Sequence, residues 1–137
     1  MVHMPGHLLF AADSDIISER GRDVLRQVAR VIREDRGLAE RRYQVVAHTD
    51  KEAGKEGHPD KWTLCATRAR AVLLALTSPV EGGGGGLDAE LWSLAAYADS
   101  YAPATRDAKR GTRTDGRVEI AMQPDADERL NVGRLTR

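Results

Sequence analysis

Cysteine is nearly missing from this sequence: Cys65 is the one thiol in 137 residues. A single cysteine excludes an internal disulfide and a cysteine-rich zinc cluster. It leaves the redox compartment open, because an oxidising one tolerates a buried thiol. Aromatic residues are scarce, with one Phe, two Trp and three Tyr, so alanine, leucine and valine must supply most of the packing. Net charge is absent too. Lys plus Arg number 21 and Asp plus Glu number 21, so no global field favours nucleic acid or anionic lipid. Nothing approaches the roughly 18 consecutive apolar residues of a membrane span, and no signal peptide pattern is visible.

What is present reads as one domain with a single core. The opening Met1-Val2-His3-Met4 carries a second methionine directly after a histidine, so residues 1–6 read as a tag or linker. Residues 7–122 form the domain, and 123–137 are a charged C-terminal tail that frays unless Leu130, Val132 and Leu135 dock. His7 to Ala12 is expected as a first strand. Ser18 is a good N-cap, and Val24, Leu25, Val28, Val31 and Ile32 recur at helical steps to about Glu34. Gly37 fits the stop. Arg42 to Ala47 is the second strand, and a helical crossover between two strands favours parallel pairing.

After a polar loop, Asp60 caps a second helix that runs to about Leu76. Gly82 to Gly86 reads as a flexible connection, since a phosphate loop would need a following Lys-Ser/Thr. Leu87 to Leu91 is a single helical turn, Trp92 to Tyr97 a third strand, and Asp99 to Arg113 mostly loop. Arg117 to Met122 alternates cleanly as a fourth strand, and Pro124 ends it. The order β-α-β-α-β-β predicts an α/β (α+β) two-layer sandwich, with helices packed on one face of a mixed four-stranded sheet. The other face is left to solvent or to a partner.

Leu64, Arg68, Val72 and Leu76 lie at four-residue steps and share a helical face. An arginine there is partly buried and needs a partner. Asp50, at the end of the preceding strand, is the best-placed carboxylate. Two readings stand: a plain Asp50–Arg68 salt bridge that fixes the loop, or a pair facing a cleft that shares a ligand with both an ammonium and a carboxylate. Arginine suits the second because its fork takes a carboxylate in two parallel bonds. His48, Asp50 and His58 have metal-ligand residue types, which would make a hydrolytic zinc site, but their spacing is a weak signal. Cys65 reads as a small buried hydrophobe. Trp92 reads as a packing residue, and Trp62 either packs or walls a ligand cleft. The basic run Arg106, Lys109, Arg110, Arg113 and Arg117 is broken by Asp107 and Asp115 and lacks aromatics, so it reads as a solvated face.

Val46-Ala47-His48-Thr49-Asp50, then Leu64-Cys65-Ala66-Thr67-Arg68-Ala69, then Arg117-Val118-Glu119-Ile120 resemble the OmpA-like peptidoglycan-binding domain. That family carries Gly-His-Thr-Asp, Asn-x-x-Leu-Ser-x-x-Arg-Ala and Asn-Arg-Arg-Val-Glu-Ile in the same order. Tyr97 falls where it has Gly-Tyr-Gly. Asp60-Lys61-Trp62-Thr63-Leu64-Cys65 looks most like the flagellar stator (MotB-like) branch. The resemblance covers about residues 7–122. It implies non-covalent binding of the peptidoglycan stem peptide through the zwitterionic end of diaminopimelate. Asp50 would accept the ammonium and Arg68 would clamp the carboxylate. Asp13, Thr49, Leu64 and Cys65 would line the pocket, partly through backbone groups.

Such a domain is not an enzyme and needs no cofactor or metal. It anchors an envelope protein to the wall from the periplasm, as the soluble part of a membrane-anchored protein, and stator relatives imply a homodimer. The departures are Ala47 for glycine, Cys65 for serine, Lys61 for asparagine and Gly116 for arginine, with Ala96 and Ala98 in place of the glycines around Tyr97. They motivate a second reading, an interaction or dimerisation module whose peptidoglycan binding is weakened or lost.

Overall fold

In the computed structural model, residues 2–50, 60–100 and 116–124 are described. Four strands, β1 (Val2–Pro5), β2 (Tyr43–His48), β3 (Trp92–Ala98) and β4 (Arg117–Met122), form one mixed sheet in the order β1-β4-β2-β3. β2 and β3 are parallel, as a crossover through a helix requires, and β4 is antiparallel to both β1 and β2. The helices are α1 (Gly6–Leu9), α2 (Glu19–Glu34), α3 (Arg36–Ala39) and α4 (Lys61–Thr77). One 3-10 turn, Ala89–Leu91, leads into β3.

The two long helices start where their caps dictate. Ser18 Oγ accepts from the Gly21 N–H, and Asp60 accepts from the N–H groups of Trp62 and Thr63. α2 buries Gly21, Leu25, Ala29 and Ile32, and α4 buries Leu64, Cys65, Arg68, Ala69, Val72 and Leu76. Their faces meet Tyr43, Val45 and Ala47 of β2 and Val118 and Ile120 of β4 in one core, and each fully buried Leu contributes about 1.5–3 kcal/mol. Tyr43 closes one end, stacked on Trp92 with centroids 4.9 Å apart and donating to the Leu38 carbonyl. Trp92 is thus a packing residue.

The expectations for the first strand need correction. The first strand is not His7–Ala12. Residues 6–9 make a helical turn, with the Phe10 N–H bonded to Gly6 O, and only Phe10 forms a lone bridge, to Ile17. A six-residue apolar run has no periodicity to separate turn from strand. Its carbonyls serve α2, since the Ser18 N–H donates to Leu9 O. The strand is instead Val2–Pro5, inside the segment expected as a tag or linker, so the sheet starts before the boundary drawn at residue 7. It pairs with β4, not with β2, so the expected parallel pairing of the first two strands does not form.

The glycine run is a built connection, not a flexible one. Gly85 N–H donates to Ala75 O and Leu87 N–H to Leu76 O, which caps the end of α4. A Cβ on Gly85 would come within 2.5 Å of Leu76 O and 2.6 Å of the Ala29 Cβ. Gly37 lies inside α3 instead of ending α2, whose C-cap is Asp35. The loop expected over 51–60, most of that over 99–113, and the tail from residue 125 lie outside the described residues.

Candidate functional site

β2 leaves the sheet as His48-Thr49-Asp50. His48 and Thr49 are buried and Asp50 is half-buried. The Thr49 N–H donates to Ala98 O at 3.0 Å, which carries the β2–β3 pairing one residue past the strand. Just before it the register shifts: Ala47 faces Ala96, but His48 faces Ala98, so Tyr97 is an extra residue on β3. This is a β-bulge, which bends its strand and re-aims the side chains beside it.

Arg68 stands in the second turn of α4, three residues after Cys65, whose Sγ meets Ala47 O near this end of the sheet. The arginine is 2% exposed. Its Nε donates to Ser14 O at 2.7 Å, and its guanidinium lies 4.7 Å from the centroid of the Phe10 ring. A desolvated cation–π contact of this kind is worth about 2 kcal/mol. The guanidinium is therefore held against the α1–α2 connection, which also carries Asp13. Among the described residues no ion pair joins Arg68 to Asp50.

Leu64 and Cys65 precede Arg68 on α4 and are 1% and 0% exposed. The Cys65 Sγ lies 2.9 Å from Ala47 O and 3.3 Å from the Ala98 N–H. Burial pushes the thiol pKa up, against the opposing influence of the Ala98 and Tyr97 backbone and the Arg68 charge. The thiol is thus protonated and can donate to the carbonyl while accepting from the amide. Lys61 Nζ and Asp99 Oδ1, 2.8 Å apart, tie the start of α4 to the exit of β3. Trp62 is 50% exposed beside them, so it is not a core residue.

Among the described residues the two non-glycine positions in the left-handed region are Asp13 (φ 52°) and Ala98 (φ 50°), and both border this site. Strained backbone of this kind costs on the order of 1–3 kcal/mol and clusters at functional sites. Gly116 has φ 74°, and a Cβ there would fall 2.3 Å from His48 O. Phe10, Ser14, Ala98 and Gly116 shape the site and were not among the expected site residues. Gly116, one residue ahead of a strand, carried a readable turn signal; the others depend on contacts distant in sequence.

His48 turns to the sheet face away from the helices. Its ring stacks on Tyr97 at 5.6 Å, and Nε2 lies 3.7 Å from Glu119 Oε2. Glu119 also meets Arg117 Nε at 2.8 Å and His3 Nδ1 at 3.2 Å. Burial, then the Arg117 charge, lower the His48 pKa, and Glu119 only partly offsets them. For Glu119 burial acts upward, but the Arg117 hydrogen bond and charge hold the carboxyl below its ordinary value. His48 Nδ1 and Thr49 Oγ1 are buried without a hydrogen-bond partner among the described residues. No group of three metal-ligating side chains occurs among the described residues, and His58 lies outside them. A separate cavity of about 400 Å³, lined by Val28, Val31, Ile32, Leu38, Tyr43 and Met122 among others, opens near the opposite end of β2 and has no charged wall.

The OmpA family model matches residues 9–82 of the chain. No curated protein sequence matches it. Among solved structures, the periplasmic domain of Helicobacter pylori MotB superposes with a TM-score of 0.73 at 22% identity, covering 98% of this chain and 87% of that one. The cell wall anchor of the T6SS from Pseudomonas aeruginosa gives 0.65 at 23% identity, over 86% and 76% of the two chains. A MotB-like protein from Desulfovibrio vulgaris gives 0.64 at 18% identity, over 93% and 75%. At these identities the likeness is one of fold.

Proposed function

Because the chain belongs to the OmpA family, we propose that it binds peptidoglycan non-covalently and anchors an envelope protein or complex to the cell wall from the periplasm. The ligand in this reading is the diaminopimelate of the stem peptide. Arg68 clamps its carboxylate, Asp50 accepts its ammonium, and Asp13 and Thr49 border the pocket over a floor of Leu64 and Cys65. The role is binding, with no chemical step.

The observation that carries the reading is Arg68 itself. A guanidinium almost wholly withdrawn from water and set on the Phe10 ring and Ser14 carbonyl is costly for packing alone. Its planar fork can take a carboxylate in two parallel bonds, which a site of low dielectric strengthens. The half-buried Asp50, not tied to Arg68, leaves an acceptor for the opposite end of a zwitterion.

Calorimetric titration with a diaminopimelate-containing stem peptide tests this. Wild type is expected to bind saturably. Asp50→Ala and Arg68→Ala should each weaken binding by at least about 100-fold, or about 2.7 kcal/mol, with the circular dichroism of the fold retained. Intact binding in both variants rejects the clamp. No heat from folded wild type rejects the ligand and favours the interaction-module reading.

A further inference from the structure

Cys65 does more than fill volume. Its thiol enters the sheet where the β2–β3 ladder changes register, and it meets one backbone group from each strand: Ala47 O at 2.9 Å and the Ala98 N–H at 3.3 Å. A bulge leaves backbone groups out of the regular ladder, and a buried one left unsatisfied costs about 1–3 kcal/mol. Ala98 is also the residue held at φ 50°, a conformation that alanine adopts at a cost. Both of its backbone groups are engaged, the N–H by the thiol and the carbonyl by the Thr49 N–H at 3.0 Å. A chain of contacts therefore runs from Cys65 through Ala98 to Thr49, whose buried hydroxyl has no partner among the described residues, and Asp50 follows directly.

We propose that Cys65 is a positioning residue of the candidate site: its thiol holds Ala98 in the left-handed conformation, and through the Ala98 carbonyl sets the backbone of Thr49 and Asp50. This rests on the ligand reading above for its effect on binding, but not for its effect on the backbone. The thiol is wholly buried and is no reactive site. An apolar side chain of similar size would fill the space yet could neither donate to Ala47 nor accept from Ala98. A hydroxyl could do both.

The test compares Cys65→Ala, Cys65→Ser and, as a packing control on the same helix, Val72→Ala, all in the full chain. Amide hydrogen exchange is followed at Thr49 and Ala98 against α2, and stem-peptide affinity is measured beside it. In Cys65→Ala, the Thr49 and Ala98 amides should exchange about tenfold faster relative to α2 than in wild type. The affinity should fall about tenfold. Cys65→Ser should restore slow exchange and bring affinity within about threefold of wild type. Val72→Ala should speed exchange throughout, without singling out Thr49 and Ala98, and leave the affinity alone.

Thr49 and Ala98 exchanging in step with α2 in Cys65→Ala overturns the proposal, as does a serine variant that behaves like alanine while folded. If wild type binds no stem peptide, the ligand reading fails by that result. The exchange pattern then decides by itself whether the thiol positions the strand end.

Discussion

The two long helices pack side by side on one sheet face, yet they bury different things. α2 follows the amphipathic rule apart from the exposed Val31: Gly21, Leu25, Ala29 and Ile32 face inward, and Arg20, Arg22 and Arg30 face water. α4 departs from it most in its first half, where the charged Arg68 is buried with Cys65 among Leu64 and Ala69, while Val72 and Leu76 continue an apolar buried face. The buried thiol and guanidinium therefore occupy one half of one helix. They lie beside the bulge, the Ala98 and Asp13 strain, and the end of β2. Departures from local consistency are expected where function outweighs stability. Here they mark off half of α4 from an otherwise ordinary scaffold.

The contrast is sharpest if cutting each helix costs something different. Leu25→Ala, in the obedient helix, is expected to lower unfolding free energy by about 2–5 kcal/mol. Urea denaturation reads that, and the affinity of the folded fraction should match wild type. A loss of affinity comparable to that of Arg68→Ala would show that α2 serves the site too, and the contrast would collapse.

The caps give a smaller and more selective difference. Ser18→Ala removes an uncharged cap worth about 1 kcal/mol, and that loss should not depend on acidity. α4 is capped by a carboxylate whose pKa is held below the ordinary 3.8, chiefly by the Thr63 N–H and hydroxyl, with a further contribution from the Trp62 N–H. A depressed folded pKa means stabilisation that is full above the unfolded value and is lost as pH falls below it, through the folded one. Amide exchange at Trp62 and Thr63 should accelerate in that acid window while Gly21, at the start of α2, shows no such step. Parallel behaviour at both termini would count against the carboxylate cap. Smallest of all, Glu34→Ala removes the exposed Arg30–Glu34 pair. It should change stability by no more than about 0.5 kcal/mol and leave affinity untouched; a larger shift in the urea midpoint would make that pair structural.

Both long helices and strands β2, β3 and β4 were legible from local chemistry: Ser18 and Asp60 as caps, the helical spacing, and the alternation of Val118, Ile120 and Met122. β1 was not, because Val2–Pro5 is a strand only by virtue of β4, which lies more than a hundred residues away. The glycine run misled by composition. Low side-chain content suggests slack, but Gly85 is small because α4 and Ala29 leave no room for a Cβ. At the site, the buried Arg68 could be read from its four-residue spacing with Leu64 and Val72. Its partners could not: Ser14 lies 54 residues back in the chain, and the role of Cys65 depends on a bulge on β3, 33 residues on. Chemical type was readable locally, whereas the geometry that uses it was set by the sheet.

The edge strand also decides how the molecule meets a pull. β1 and β2 run in the same direction on either side of β4, with Val2 level with Ile120 and Pro5 and His48 both level with Arg117. The start of β1 and the candidate site thus lie toward opposite ends of the strands. Tension applied at Val2 against a ligand held by Thr49 and Asp50 would run along the strand axis. The hydrogen bonds between β1 and β4 would then share the load as a shear joint, all strained together, instead of opening one after another like a zipper.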